Sequence, residues 1–254
     1  MTAGTSDDVA LGAGTVYLYG LVLPAGTVPS GLTGIAGRIV RAEALAHVDA
    51  LVSDAPDGRE IGLPDDVRDH TRVLDAVAAE GPVLPVRFGT TAERGALEQA
   101  VPPGWQQQHA DALRGLSGAV QLTLTARYVE EALLAELVAA DPEIRRLREA
   151  TRGRPEAATY GARVRLGELV VAGFDRRRPA DAERVERVVA PFARRTLVRE
   201  VTQTDAVAEL ALLLARDDVP RLEEALEDLA ARVAGHMVLR LVGPQAPYDF
   251  VGEV

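Results

Sequence analysis

Residues able to ligate, attack or carry a proton are few in this chain and scattered. The four histidines are His47, His70, His109 and His236, and no two lie at the spacing of a helical ligand pair or complete a carboxylate motif. There is no cysteine, which removes disulfides, a thiolate nucleophile and a cysteine zinc site. There is also no lysine, which removes Schiff-base chemistry and a phosphate-loop lysine. Ser30, Ser53 and Ser117 each sit beside a turn or loop residue, outside any Gly-x-Ser-x-Gly elbow. The glycines between Gly26 and Gly37 do not form a strand–GxGxxG–helix unit. Carboxylate pairs such as Glu223/Glu227 fall on a predicted helix face and read as solvated residues.

Three features stand out from this background. Asp66 and His70 are four apart on a predicted helix, so they can meet as a first-turn pair or serve as base or ligand. Arg87 lies in Leu84-Pro85-Val86-Arg87-Phe88-Gly89-Thr90, where a strand would put Val83, Pro85 and Arg87 on one face. It reads either as the partner of an acid such as Asp66 or Asp69, or as an interface arginine. Tyr248 and Phe250 lie in a proline-bracketed tail and either anchor a partner or fold back into their own protein. No set of these makes a recognisable reactive centre. The chain therefore reads as one that binds other proteins, with no cofactor and no catalytic or metal site.

The elements that would carry these residues follow from hydrophobic period and breakers. Val16–Leu23 is a strand stopped by Pro24. Short strand-like pieces follow at Ile39–Val40 and Leu45–Val52, then a turn with Pro56, Asp57 and Gly58. Pro64, Asp65 and Asp66 open a helix whose inner face carries Val67, His70, Thr71, Leu74, Val77 and Ala78, up to Gly81. Val83–Phe88 is a strand, Thr91–Val101 a helix, and Trp105, His109, Ala112, Leu113 and Leu116 mark the apolar face of another helix.

From Ser117 the pattern changes. Val120, Leu122, Leu124 and Ala126 alternate with polar residues as a half-buried strand. Helices are predicted at Val129–Ala140, from Pro142, at Glu156–Phe174 and at Asp181–Phe192. Strands follow at Leu197–Thr202 and Val207–Ala215, the latter apolar enough for a central position. A helix capped by Asp217 or Asp218 and a strand at Met237–Val242 complete the order. That is the βαββαβ order of a ferredoxin-like unit with extra helices. The prediction is an α+β protein of two tandem α/β-sandwich domains, the first a modified ferredoxin-like unit. Its parts are a flexible start at 1–14, domains at 15–116 and 117–243, and a tail at 244–254.

Composition sets the class. The chain has 254 residues, 47% hydrophobic and 26% charged, with a formal net charge of −10. These values describe a soluble globular protein with a real core. The acidic balance argues against nucleic acid as a partner, because phosphate contacts need cations. Met1–Gly14 lacks the apolar core of a secretory signal, and the longest apolar run, Leu210–Ala215, is too short to span a membrane. A cytoplasmic protein with no membrane partner is expected.

Four blocks carry a family resemblance: Val16-Tyr17-Leu18-Tyr19-Gly20-Leu21-Val22, the helix from Asp66 through His70 to Val73 and Leu74, Leu84-Pro85-Val86-Arg87-Phe88-Gly89-Thr90, and the ending Gly243-Pro244 … Pro247-Tyr248 … Phe250-Val251. In this order they resemble the gas vesicle accessory proteins of the GvpF/GvpL type. The resemblance implies a gas-vesicle-associated cytoplasmic protein that binds the small hydrophobic shell protein, other gas vesicle accessory proteins, or both. It implies support of shell nucleation or growth, no cofactor and no catalysis. It marks Asp66, His70, Pro85, Arg87, Phe88, Gly89, Tyr248 and Phe250 as partner-contact or fold-signature positions. Two other readings remain open: a small-molecule-binding or sensing protein with its ligand between ferredoxin-like domains, and an enzyme using Asp66, His70 and Arg87 together.

Overall fold

The computed structural model describes residues 14–56 and 60–251. Residues 1–13 of the predicted flexible start, and Asp57 and Gly58 of the predicted turn, lie outside the described residues. The chain divides into two compact units, one made of residues 1–118 and 244–254 and the other of 119–243. The tail thus belongs to the first unit.

The first unit is built on β1 (Thr15–Val22), buried along its whole length after Thr15. Its neighbours are β2 (Arg41–Ala44), β3 (Asp49–Asp54) and β4 (Val83–Pro85), in the order β2-β3-β1-β4, with the short strand β5 (Thr91–Glu93) also pairing with β1. The pairs of β1 with β3, β4 and β5 are all antiparallel. Helix α1 (Pro64–Glu80) packs on β1 and β4. Its start is set by Pro64 and by the Asp66 carboxylate, whose Oδ2 accepts the Gly62 and Leu63 N–H groups at 3.0 Å each.

That cap rotates the helix by one position from the predicted face. Asp66, His70, Val73, Leu74 and Val77 are buried, while Val67 is exposed. Thr91–Val101 is not one helix. Thr91–Glu93 pairs with Tyr17–Thr15, and only Leu97–Ala100 is helical, as α2. In α3 (Pro103–Gly115) Trp105 faces out and Gln106 faces in. Gln106 is affordable inside because its amide donates to Val101 O at 2.8 Å and accepts from His47 N at 3.2 Å.

The second unit holds a four-stranded sheet in the order β7-β8-β6-β9, from β6 (Ala119–Tyr128), β7 (Ala193–Arg199), β8 (Ala206–Ala215) and β9 (Met237–Gln245). Numbered within the unit this is 2-3-1-4, the strand order of the split βαβ plan expected from the sequence. Val120, Leu122, Leu124, Ala126 and Tyr128 turn one face of β6 into a core shared with β8 and α7 (Val219–Arg232). The extra helices are α4 (Glu130–Ala140) and α5 (Pro142–Thr151), the latter capped by the Asp141 carboxylate on the Glu143 and Ile144 N–H groups.

They pack against α6 (Glu156–Val189), a single helix of 34 residues that runs through Pro179 where two helices were predicted. Proline removes one backbone donor, so a break is the usual outcome. Here Arg178 holds the segment. It donates to Ala206 O at 2.8 Å, to Thr204 O at 2.9 Å and to Asp175 Oδ1 at 2.7 Å. Asp218 occupies the N-cap position of α7 as expected, but its carboxylate pairs with Arg221 rather than with a backbone N–H.

Gly34 meets the core at a single point. A Cβ built there would lie 1.9 Å from the Tyr19 hydroxyl. Gly34→Ala is expected to destabilise the first unit by about 1–3 kcal/mol through overpacking. Chemical denaturation followed by Trp105 fluorescence measures this, and an unchanged midpoint would show that the loop absorbs the methyl.

Candidate functional site

The family-like blocks at β1, α1 and residues 84–90 meet in one aromatic cluster of the first unit. Tyr17 and Tyr19 lie two apart on β1 and so point to the same side of the sheet, toward α1. Their rings are 4.7 Å apart in an edge arrangement. His70 stacks on Tyr19 at 5.7 Å and meets Tyr17 and Phe88 edge-on at 5.7 and 5.5 Å.

The polar atoms of this cluster are linked in two chains. Gly89 N–H donates to the Tyr17 hydroxyl at 3.1 Å, and that hydroxyl lies 2.9 Å from His70 Nδ1. The Tyr17 hydroxyl has one proton and a second lone pair left for Nδ1, so the direction of this bond follows the His70 tautomer. Burial pushes the His70 pKa down to about 4, which keeps the imidazole neutral at pH 7. Burial likewise pushes the Tyr17 phenol far up. In the second chain Ile35 N–H donates to Tyr19 at 2.9 Å, Tyr19 lies 3.0 Å from Ser53 Oγ, and Ser53 donates to Asp54 O at 3.2 Å. Burial raises the Tyr19 pKa as well. Each hydroxyl is thus engaged, and the cluster serves to join strand, helix and loop.

The predicted site residues therefore separate. Asp66 is buried and spends its carboxylate on the helix start. Pro85 is a buried end of β4, and Phe88 and Gly89 form a turn in which Gly89 has φ +89°. The turn closes through Thr90 N and its hydroxyl, which both donate to Arg87 O at 3.2 and 2.7 Å. Arg87 is consequently not a strand residue sharing a face with Val83 and Pro85. Its side chain is exposed, and among the described residues it has no ion-pair partner, Asp66 and Asp69 included. Among the described residues no group of three or more acids and histidines could hold a metal ion.

The tail folds back onto the first unit. Ala246 is fully buried in the same core and its N–H donates to Asp75 Oδ1 at 2.8 Å. Phe250 is 8% exposed. Tyr248 keeps its ring edge at the surface, while burial and the Asp75 charge push its phenol up to about 12 and the Thr71 hydroxyl bonds it. Burial also raises the Asp75 carboxyl, with Ala246 N–H opposing. Sequence reasoning missed Asp75, and it placed Thr71 on the inner helix face and Ser53 in a loop without their hydrogen-bond partners. A polar residue every fourth position of α1 was the available signal for the first two. Ser53 had none, because its partner is 34 residues away in sequence.

Comparison with known proteins gives these positions a context. Over residues 15–252 the chain matches the family described as gas vesicle synthesis protein GvpL/GvpF. It is 32% identical over 244 residues to gas vesicle protein F of Streptomyces sp. (strain CB03234), covering 93% of this chain and 99% of the relative. Its fold is similar to the crystal structure of GvpF from Anabaena sp. PCC7120, with a TM-score of 0.76 and 17% identity over 94% of this chain and 98% of that one. The crystal structure of GvpF from Microcystis aeruginosa gives 0.72 and 20% over 93% and 98%. With residues 15–252 matched and a relative 32% identical over nearly its whole length, this chain belongs to the GvpL/GvpF family of gas vesicle synthesis proteins.

Proposed function

We propose that this chain is a cytoplasmic gas vesicle accessory protein that binds the small hydrophobic shell protein, other accessory proteins, or both, and so supports shell nucleation or growth. The observation that carries the reading is the family match across residues 15–252. The hydrogen bonds of the aromatic cluster support it, since the Tyr17, Tyr19 and Ser53 hydroxyls are all engaged in holding the fold together. Among the described residues no helix is long and apolar enough to cross a membrane.

The physical logic is protection. A shell subunit with a dry, gas-facing surface aggregates before it assembles, and a partner that shields it or pairs with a strand edge prevents this. The surface around Arg87 suits such docking. It joins an unpaired guanidinium to the Phe88–Gly89 turn, and arginine is enriched at interface hot spots. Arg87→Ala is expected to leave the melting temperature unchanged and to weaken shell-protein binding by about tenfold. Co-purification of the two proteins, then titration, measures this. No association of the intact chain at micromolar concentration would defeat the proposal, as would normal buoyancy in a host lacking this protein and any close paralogue.

A further inference from the structure

We propose that a cleft in the second unit is a binding site for a carboxylate carried on a short apolar body. The cleft has a volume of about 220 Å³. Helix α6 supplies Arg177, Asp181 and Arg184, spaced four and three apart and so on one side of the helix. Arg232, the last residue of α7, and His236, just before β9, complete the polar wall. The rest of the lining is apolar: the Tyr128 ring, Leu133, Val233 and Met237, all at least nine-tenths buried.

The charges at this wall do not cancel. Asp181 is answered by the Tyr128 hydroxyl at 2.9 Å and by Arg184 Nη1 at 3.0 Å. Glu136, beside the cleft, is answered by Arg177 and by His236, and the Arg177 bond holds its carboxyl below the usual range. Arg232 remains without a partner among the described residues. Three arginines therefore face two carboxylates, in a protein whose net charge is −10. Arg177 and Arg184 each spend one terminal nitrogen on an acid and keep further N–H donors. A guanidinium presents a planar fork that matches a carboxylate.

Size and lining choose the rest of the ligand. The volume is below that of drug-sized pockets, so it suits something the size of one amino-acid side chain. An apolar body would cover Leu133, Val233 and Met237 while its acid meets Arg232. Two sources share this chemistry: a free branched-chain acid, or the C-terminal residue of another protein.

The test is a titration of the full chain, watching the Met237 methyl and Tyr128 ring signals, with isovalerate, N-acetyl-leucine, N-acetyl-Gly-Gly-Leu, their amides and inorganic phosphate as probes. Saturable shifts with the acids, lost with the amides and weakened about tenfold or more by Arg232→Gln, support the site. Because Arg232 is exposed and unpaired, that variant keeps the parent melting temperature. Isovalerate binding without the tripeptide identifies a free acid; tripeptide binding at least as tight identifies a chain end. The proposal fails if no acid saturates by about 10 mM. It also fails if amides or phosphate bind equally well, or if Arg232→Gln changes nothing.

Discussion

Deleting residues 246–254, which spares all of β9, is expected to remove about 3–5 kcal/mol from the first unit while leaving the second unit's own transition in place. The magnitude comes from Phe250, which is 8% exposed, since truncating a buried phenylalanine costs that much in a packed core. Ala246 adds to it. It is fully buried, and its N–H is the donor that Asp75 Oδ1 holds at 2.8 Å. Without the tail Asp75 loses that donor and gains water, and these partly offset each other. Trp105 is the single tryptophan and lies in the first unit, so its fluorescence follows this transition in urea. Phe250→Ala alone should lower the same midpoint and carry most of this loss. If the truncated chain kept its Trp105 midpoint, the tail would be an appendage.

The second large effect is on acid stability. His70 titrates near 4 in the folded state and near 6.5 when unfolded. Between these values the unfolded chain binds the extra proton, so stability is whole above about pH 6.5 and falls as pH drops toward 4. Below 4 both states are protonated and this loss stops growing. By pH 5 the loss is about 2 kcal/mol relative to pH 7, and over the whole window about 3 kcal/mol. His109, whose pKa burial also lowers, adds in the same direction. Asp75, whose carboxyl burial raises, works against it at the acid end. In His70→Gln the amide oxygen can accept from Tyr17, and the steep part of the stability–pH curve between 6.5 and 4 should flatten. Equally steep denaturation curves for both proteins would mean that other groups carry the acid response.

How much of this was legible in the sequence depends on distance along the chain. β1, the core strand β8 and the alternating strand β6 announce themselves, because burial on one or both faces writes a period into adjacent residues. The strand-and-helix order of the second unit followed from them. β5 did not, because Thr91–Glu93 carries no apolar pattern and exists through its pairing with the start of β1. Pro179 reads locally as a break; the bonds that keep α6 whole run from Arg178 to Thr204 and Ala206. The site behaved likewise. His70, Phe88 and Gly89 were picked out as family-like positions. Their common purpose appears only with Tyr17, 53 residues from His70 and 72 from Gly89. Arg87 reads from sequence as a strand residue because the apolar run continues to Phe88, whereas β4 pairs with β1 only as far as Pro85.

The route of the chain has a consequence for how the protein is made. Residues 119–243 are inserted within the first unit, whose core residues Ala246 and Phe250 come after the insertion. On the ribosome the outer unit has all its strands by Glu93, yet its last core residues follow the final strand of the inserted unit. The outer unit must therefore wait, with the Tyr17 and Tyr19 layer incompletely covered, until residues 246–250 have been made. A stalled or prematurely stopped nascent chain would release a finished inner body attached to an unsealed outer one, and quality control would meet the defect there first.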